Sequence, residues 1–209
     1  IQAIEGITQS HYSHVGVLHL RKGKWTVIEA CAPGVIYTPF EKWETSYRTN
    51  STTPLVRGDK IFISTGYRRG SALFQFQVNA LTKIYEKKTL STHMNNAIPV
   101  GDYLYGFDGN VHMAGPKDLV CIEFATGKEM WRDRSNLQVG SLIVADNRII
   151  ALGQRGELAI APASPKGFSP TVREQVIGGR CWTSPVLANG FLYVRNSRGD
   201  LVCLDVSEK

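Results

Sequence analysis

Through most of the chain, short runs of alternating apolar and polar residues stop at Gly, Asp or Asn and then resume, which predicts antiparallel strands joined by tight turns. The segments "TPLVRGDKIFIS" (53–64), "IPVGDYLYGF" (98–107), "SLIVADNRIIAL" (141–152) and "SPVLANGFLYV" (184–194) follow one rule. Each is a strand, a Gly/Asp/Asn turn and a second strand. Lys60, Tyr103, Arg148 and Phe191 open the second strands at intervals of 43 to 45 residues. A third strand follows in every unit: "ALFQF" (72–76), "LVCIEF" (119–124), "ELAIA" (157–161) and "DLVCLDV" (200–206). Three units add a fourth: "LTKIYEK" (81–87), "GKEMWRD" (127–133) and "TVREQVI" (171–177).

Four short antiparallel strands repeated at this period predict propeller blades, near 53–92, 97–137, 140–180 and 182–209. The last unit runs out after three strands. "EKWETSYR" (41–48) has outer-strand character, with Trp43 placed like Trp131, so 43–49 is the expected closing strand, paired with 200–206. The four repeats then either close a ring or form half of a larger one, whose open edges favour pairing with another chain.

The text "FATGKEMW" (124–131) and the pairing of "SPVLANGFLYV" with "GDLVCLD" (199–205) resemble the quinoprotein-like β-propeller repeat family, the group that includes the outer-membrane assembly lipoprotein. The resemblance covers about 43–209. It implies a mainly β fold, a scaffold or interaction role with a protein partner through a propeller face or edge, and an extracytoplasmic or periplasmic location. Many such repeats hold no quinone, and the aspartates and glycines here read as turn chemistry, so no cofactor is expected.

Residues before about 43 follow another rule. In "SHVGVLHLRKGKWTVIEA" (13–30), a two-residue loop at Lys22-Gly23 predicts a hairpin pairing Leu20 with Trp25, Leu18 with Val27, Gly16 with Glu29 and His14 with Cys31. His14 and Glu29 then share a face, where a carboxylate could orient an imidazole base. The segments "SHVGVL", "VIEA" and "GVIYTPFEKW" resemble the permuted papain-like hydrolases of the NlpC/P60 superfamily, in the YiiX-like branch. That resemblance implies catalytic roles for His14 and Glu29 and an incomplete α+β fragment over 1–42. It also implies a nucleophilic Cys at a helix start, a context the sequence does not supply. Cys31, opposite His14, is the one candidate, without helix-dipole activation. The expected division is therefore 1–42 as hydrolase remnant and 43–209 as propeller.

Composition narrows the rest. The chain has 209 residues and is 43% hydrophobic, enough for a substantial core. It opens on Ile rather than Met, which reads as a fragment or processed form, and no apolar run is long enough to span a membrane. The net charge of +6 comes from scattered Lys and Arg, which reads as a solvated basic surface without nucleic-acid binding. Cys31, Cys121, Cys181 and Cys203 form no C-x-x-C pair, so no structural metal site is expected; His19 also points away from His14, against a cluster with His11. Cys121 and Cys203 sit in apolar runs and read as small buried hydrophobes. The expected function is a non-enzymatic interaction scaffold, with a thiol amidase or peptidase using His14, Glu29 and Cys31 as the alternative.

Overall fold

The computed structural model describes residues 16–21, 24–31, 34–36, 43–45, 47, 49–77, 80–134 and 137–207. Among them, nineteen strands form five antiparallel sheets, each an up-and-down meander. The first holds β1 (Gly16–Arg21), β2 (Lys24–Cys31), β3 (Gly34–Ile36) and β4 (Trp43–Glu44). The second holds β5 (Leu55–Arg57), β6 (Lys60–Thr65), β7 (Gly70–Gln77) and β8 (Ala80–Lys87). The third comprises β9 (Ile98–Val100), β10 (Tyr103–Asp108), β11 (Asp118–Glu123) and β12 (Glu129–Asp133), and the fourth β13 (Ser141–Ala145), β14 (Arg148–Leu152), β15 (Glu157–Pro162) and β16 (Val172–Gln175). The last sheet has three strands, β17 (Val186–Ala188), β18 (Phe191–Arg195) and β19 (Leu201–Asp205).

The strand spacing read from the repeat is thus realised sheet by sheet. Its tight turns explain why. Asp146 and Asn147 adopt φ of 45° and 54°, and Asn189 and Gly190 adopt 52° and 78°. Two successive residues with positive φ give the hairpin turn whose twist matches the strands, and Asn, Asp and Gly tolerate that conformation best.

The middle strands of the third and fourth sheets are buried on both faces, because each of these sheets lies between two others. In β10 every residue after Tyr103 is buried, and in β11 Leu119 through Ile122 are buried. Phe62 and Leu73 of the second sheet meet Leu104, Val120 and Ile122 of the third. On its opposite face the third sheet presents Tyr105, Phe107, Leu119 and Cys121 to Leu142, Ile149, Ala151 and Ala159 of the fourth. Ile150, Leu152 and Leu158 then meet Leu192, Val194, Val202 and Leu204 of the last. The core is therefore a series of thin layers between sheets.

Trp43 joins the first sheet to this series. It packs with Ile61, Ile63, Ala72 and Phe74, its indole N–H donates to Thr65 Oγ1 at 2.9 Å, and the Arg69 guanidinium lies 3.6 Å from its ring centroid. Its outer-strand character is real, but the expected pairing of 43–49 with 200–206 is corrected. β4 hydrogen-bonds β3, with Val35 opposite Trp43, so β19 keeps an open edge among the described residues. The expected junction at 42/43 falls between β3 and β4, two strands of one sheet.

The hairpin register agrees with the sequence reading. Gly16 pairs with Glu29, Leu18 with Val27 and Leu20 with Trp25. Lys22, Gly23 and His14 lie outside the described residues.

Candidate protein-interaction face

A meander places alternate loops at the same end of its sheet. The β6–β7, β8–β9, β10–β11, β14–β15, β16–β17 and β18–β19 connections therefore gather at one end of the molecule. These loops carry aromatic and basic side chains.

Five rings run across that end. Tyr47 and Tyr67 have centroids 4.7 Å apart, Tyr67 and His93 5.0 Å, His93 and His112 6.0 Å, and His112 and Trp182 5.5 Å. The last three pairs meet nearly edge to face, the arrangement favoured by the ring quadrupole. Arg180 extends the row, its guanidinium carbon 4.6 Å from the Trp182 centroid, a cation–π contact. His93 is buried while Tyr47 and His112 are exposed, so the row passes in and out of the surface.

The buried members are incompletely satisfied. His93 Nε2 lies 3.2 Å from the Tyr67 hydroxyl, but its Nδ1 has no protein partner. Trp182 Nε1, Asn110 Nδ2 and Gln154 Oε1 are likewise buried without partners. Asn110 touches the row, since its Oδ1 accepts from the His112 amide at 3.0 Å. Burial, and secondarily the neighbouring His112, holds His93 below the ordinary histidine pKa. At neutral pH His93 is therefore an uncharged imidazole, with one ring nitrogen on Tyr67 and the other unpartnered.

Beside the row lies a cavity of about 320 Å³, lined by Arg68, Lys88, Ser91, Asp108, Asn110 and Met113 among others. Arg68 donates to the Ala114 carbonyl at 3.3 Å and Lys88 to the Arg68 carbonyl at 2.5 Å, which fixes two cations at the rim. Gly109 is required there. Its φ is 125°, and a Cβ would fall 2.0 Å from the Pro116 carbonyl oxygen.

Asp108, the one carboxylate in that lining, is committed to the framework. It accepts from Arg132 at 2.6 Å and from the Ser91 amide at 2.7 Å. Arg132 also reaches Asp118 at 3.1 Å, Glu129 at 2.9 Å and the Thr89 carbonyl at 2.9 Å. Burial pushes the Asp108 carboxyl up, with the hydrogen bond from Arg132 opposing the shift. Burial also works against the Arg132 charge, but its bonds to Glu129 and Asp108 raise its pKa above the ordinary value. The cluster locks β10, β11 and β12 together.

The proposed thiol-site residues fall elsewhere. Glu29 and Cys31 lie on β2, Glu29 opposite Gly16 and Ile36, Cys31 opposite Gly34, and His14 lies outside the described residues. Burial pushes the Cys121 thiol up to about 12 and raises that of Cys181, the reverse of nucleophile activation. The expectation that Cys203 is buried like Cys121 is corrected: Cys203 is exposed. Among the described residues, no group of three or more His, Cys, Asp or Glu could hold a metal, and no helix is long and apolar enough to cross a membrane.

Sequence reasoning missed the row. His93, His112 and Trp182 occupy loops between predicted strands, at no common period, and only the stacking of successive sheets brings them together. The available signal was weak: imidazole and indole side chains in Gly/Ser/Asn-rich connections, where turn chemistry alone would place neither.

No protein-family model matches the sequence, and comparison with curated proteins gives no match. Solved structures do match. The crystal structure of BamB from Moraxella catarrhalis aligns with a TM-score of 0.53 at 18% identity, over 73% of this chain and 42% of that one. The computationally designed protein Ika8 aligns at 0.57 and 8% identity, over 95% of this chain and 57% of that one. A chain of the nidogen/laminin complex aligns at 0.51 and 16% identity, over 92% of this chain and 68% of its own length. The present chain thus spans less than two thirds of BamB and of Ika8. Together with the sheet order, these likenesses establish a β-propeller fold.

Proposed function

We propose that this β-propeller is a non-enzymatic interaction module whose loop end receives an acidic segment of a protein partner. The observation that carries the reading is the row of rings from Tyr67 to Trp182, flanked by Arg68, Lys88 and Arg180. Exposed aromatic and Arg side chains on a rigid scaffold are the residue types that dominate protein interfaces. A carboxylate-bearing segment would also meet the Arg68 and Lys88 cations that line the cavity.

The fold likeness to BamB supports a scaffold role without naming a partner. The hydrolase alternative, built on His14 and Glu29 with the nucleophile missing or supplied by Cys31, draws no support from the fold likenesses.

The test is a titration with a short Asp/Glu-rich peptide containing one Phe, followed by tryptophan fluorescence at low and physiological salt. The expected result is saturable quenching that disappears in Trp182→Phe and weakens about tenfold or more in Arg180→Glu. Added salt should weaken it further. Absence of binding, or binding indifferent to both substitutions, contradicts the reading.

A further inference from the structure

The cavity at the loop end lies where loops of the second and third sheets meet. Arg68 comes from the β6–β7 loop, Lys88 and Ser91 from the β8–β9 connection, and Asn110 and Met113 from the β10–β11 loop. Its volume of about 320 Å³ falls at the small end of the range for ligand pockets. Beside Met113, Pro116 adds apolar lining.

The lining also carries unused hydrogen-bonding capacity. Arg68 and Lys88 donate to backbone carbonyls, of Ala114 and of Arg68 itself, and among the described residues no carboxylate pairs with either cation. A guanidinium has five N–H groups and an ammonium three, so both keep donors for a ligand. Ser91 is only 5% exposed, and its hydroxyl has no partner among the described residues. Asn110, 6% exposed, turns Oδ1 to the His112 amide at 3.0 Å, which leaves Nδ2 buried and unpartnered. Buried polar groups in native proteins are nearly all bonded, and two such orphans in one lining point to an acceptor that occupies it.

We infer that the cavity is a pocket for one carboxylate carried on a short apolar stem. The carboxylate pairs with Arg68 and Lys88 and accepts from the Ser91 hydroxyl, while the stem lies on Met113 and Pro116. Asp108 limits the charge of the ligand. Its two oxygens already accept from Arg132 and from the Ser91 amide, and its negative charge disfavours a doubly charged group such as phosphate. The same chemistry comes from a free short-chain acid or from a glutamate of the acidic segment proposed above. Only the second source rests on that proposal.

Titration with hexanoate, hexanamide and inorganic phosphate, followed through the amide NMR shifts of Ser91, Asn110 and Gly115, tests the pocket. The expected result is saturable shifts with hexanoate, and binding at least about tenfold weaker for the uncharged amide and for phosphate. Ser91→Ala should weaken hexanoate about tenfold, the scale of one hydrogen bond to a charged group, and Met113→Trp should abolish binding by filling the cavity. Because Ser91→Ala removes an unpartnered hydroxyl, it should unfold no lower than wild type, which separates a ligand role from a structural one. Equal binding of hexanamide, tighter binding of phosphate, no shift at these amides, or binding indifferent to both substitutions overturns the inference. The acidic peptide then assigns the source. Its displacement by hexanoate places a partner's glutamate in the pocket, and simultaneous binding of both leaves the pocket to a free acid; the pocket stands in either case. Peptide binding that depends on Trp182 and Arg180, without hexanoate binding, sinks the pocket alone. Hexanoate binding without peptide binding sinks only the partner reading.

Discussion

The third and last sheets carry nearly the same third strand in opposite surroundings. "DLVCIE" in β11 is buried from Leu119 to Ile122, whereas in "DLVCLD" the residues of β19 alternate between exposed and half-buried. The difference is the neighbour: the fourth sheet covers one, and no described residue covers the other. The repeat encodes a face fit to be covered, and in the third sheet the fourth supplies the cover.

The largest expected effect separates the polar clusters of the two sheets. In the third, Arg132 holds Asp108, Asp118 and Glu129. Arg132→Met leaves two largely buried carboxylates without a cation and should cost about 3–5 kcal/mol in urea denaturation. In the last sheet, Asn196 occupies the place of Asp108, donating to Asp200 at 2.6 Å and to the Gly178 carbonyl at 2.8 Å. Asn196→Ala should cost about 1–2 kcal/mol, the scale of lost neutral or singly charged hydrogen bonds. Equal costs would break the contrast.

Next comes the matched pair of leucines. Leu119→Ala removes a fully buried side chain and should cost about 2–5 kcal/mol, whereas Leu201→Ala should stay within about 0.5 kcal/mol. Thermal unfolding checks both. A large cost at Leu201 would mean that this face of the last sheet is covered.

Two smaller effects appear in the pH dependence of stability. Burial holds the Cys121 thiol at about 12, against about 8.5 for a free thiol. Between those values the unfolded chain has lost a proton that the folded chain retains, so stability falls as pH rises, by at most about 1.4 kcal/mol per pH unit. Cys121→Ala should remove this component of the alkaline loss, although its smaller side chain lowers stability at all pH. At the loop end the sign reverses. His93 is held below its unfolded pKa, so its contribution is present above about pH 6.5 and is lost as pH falls through its folded value. His93→Asn should flatten that acidic limb, while His112→Asn, in an exposed ring, should retain most of it.

Strands, turns and period were legible because all three are local. Alternation, β-branched and aromatic residues, and Asp146-Asn147 or Asn189-Gly190 at the turns each act within a few residues. Trp43 shows the limit. Its outer-strand character was visible, but which sheet it joins depends on β3, whose three residues give almost no pattern. Cys203 shows a second limit, since nothing in "LVCLD" distinguishes it from the buried "LVCIE". The candidate site was the least legible. His93 lies 19 residues before His112, and Trp182 lies two sheets beyond His93, so their contact arises from tertiary stacking with no local signature.

Thiol labelling, resolved peptide by peptide in dilute native protein, tests the contrast between the two sheets most directly. The account predicts that Cys203 reacts as fast as an unhindered thiol, while Cys121 reacts only as fast as the protein opens. Matching rates at the two cysteines, both fast or both slow, would contradict it.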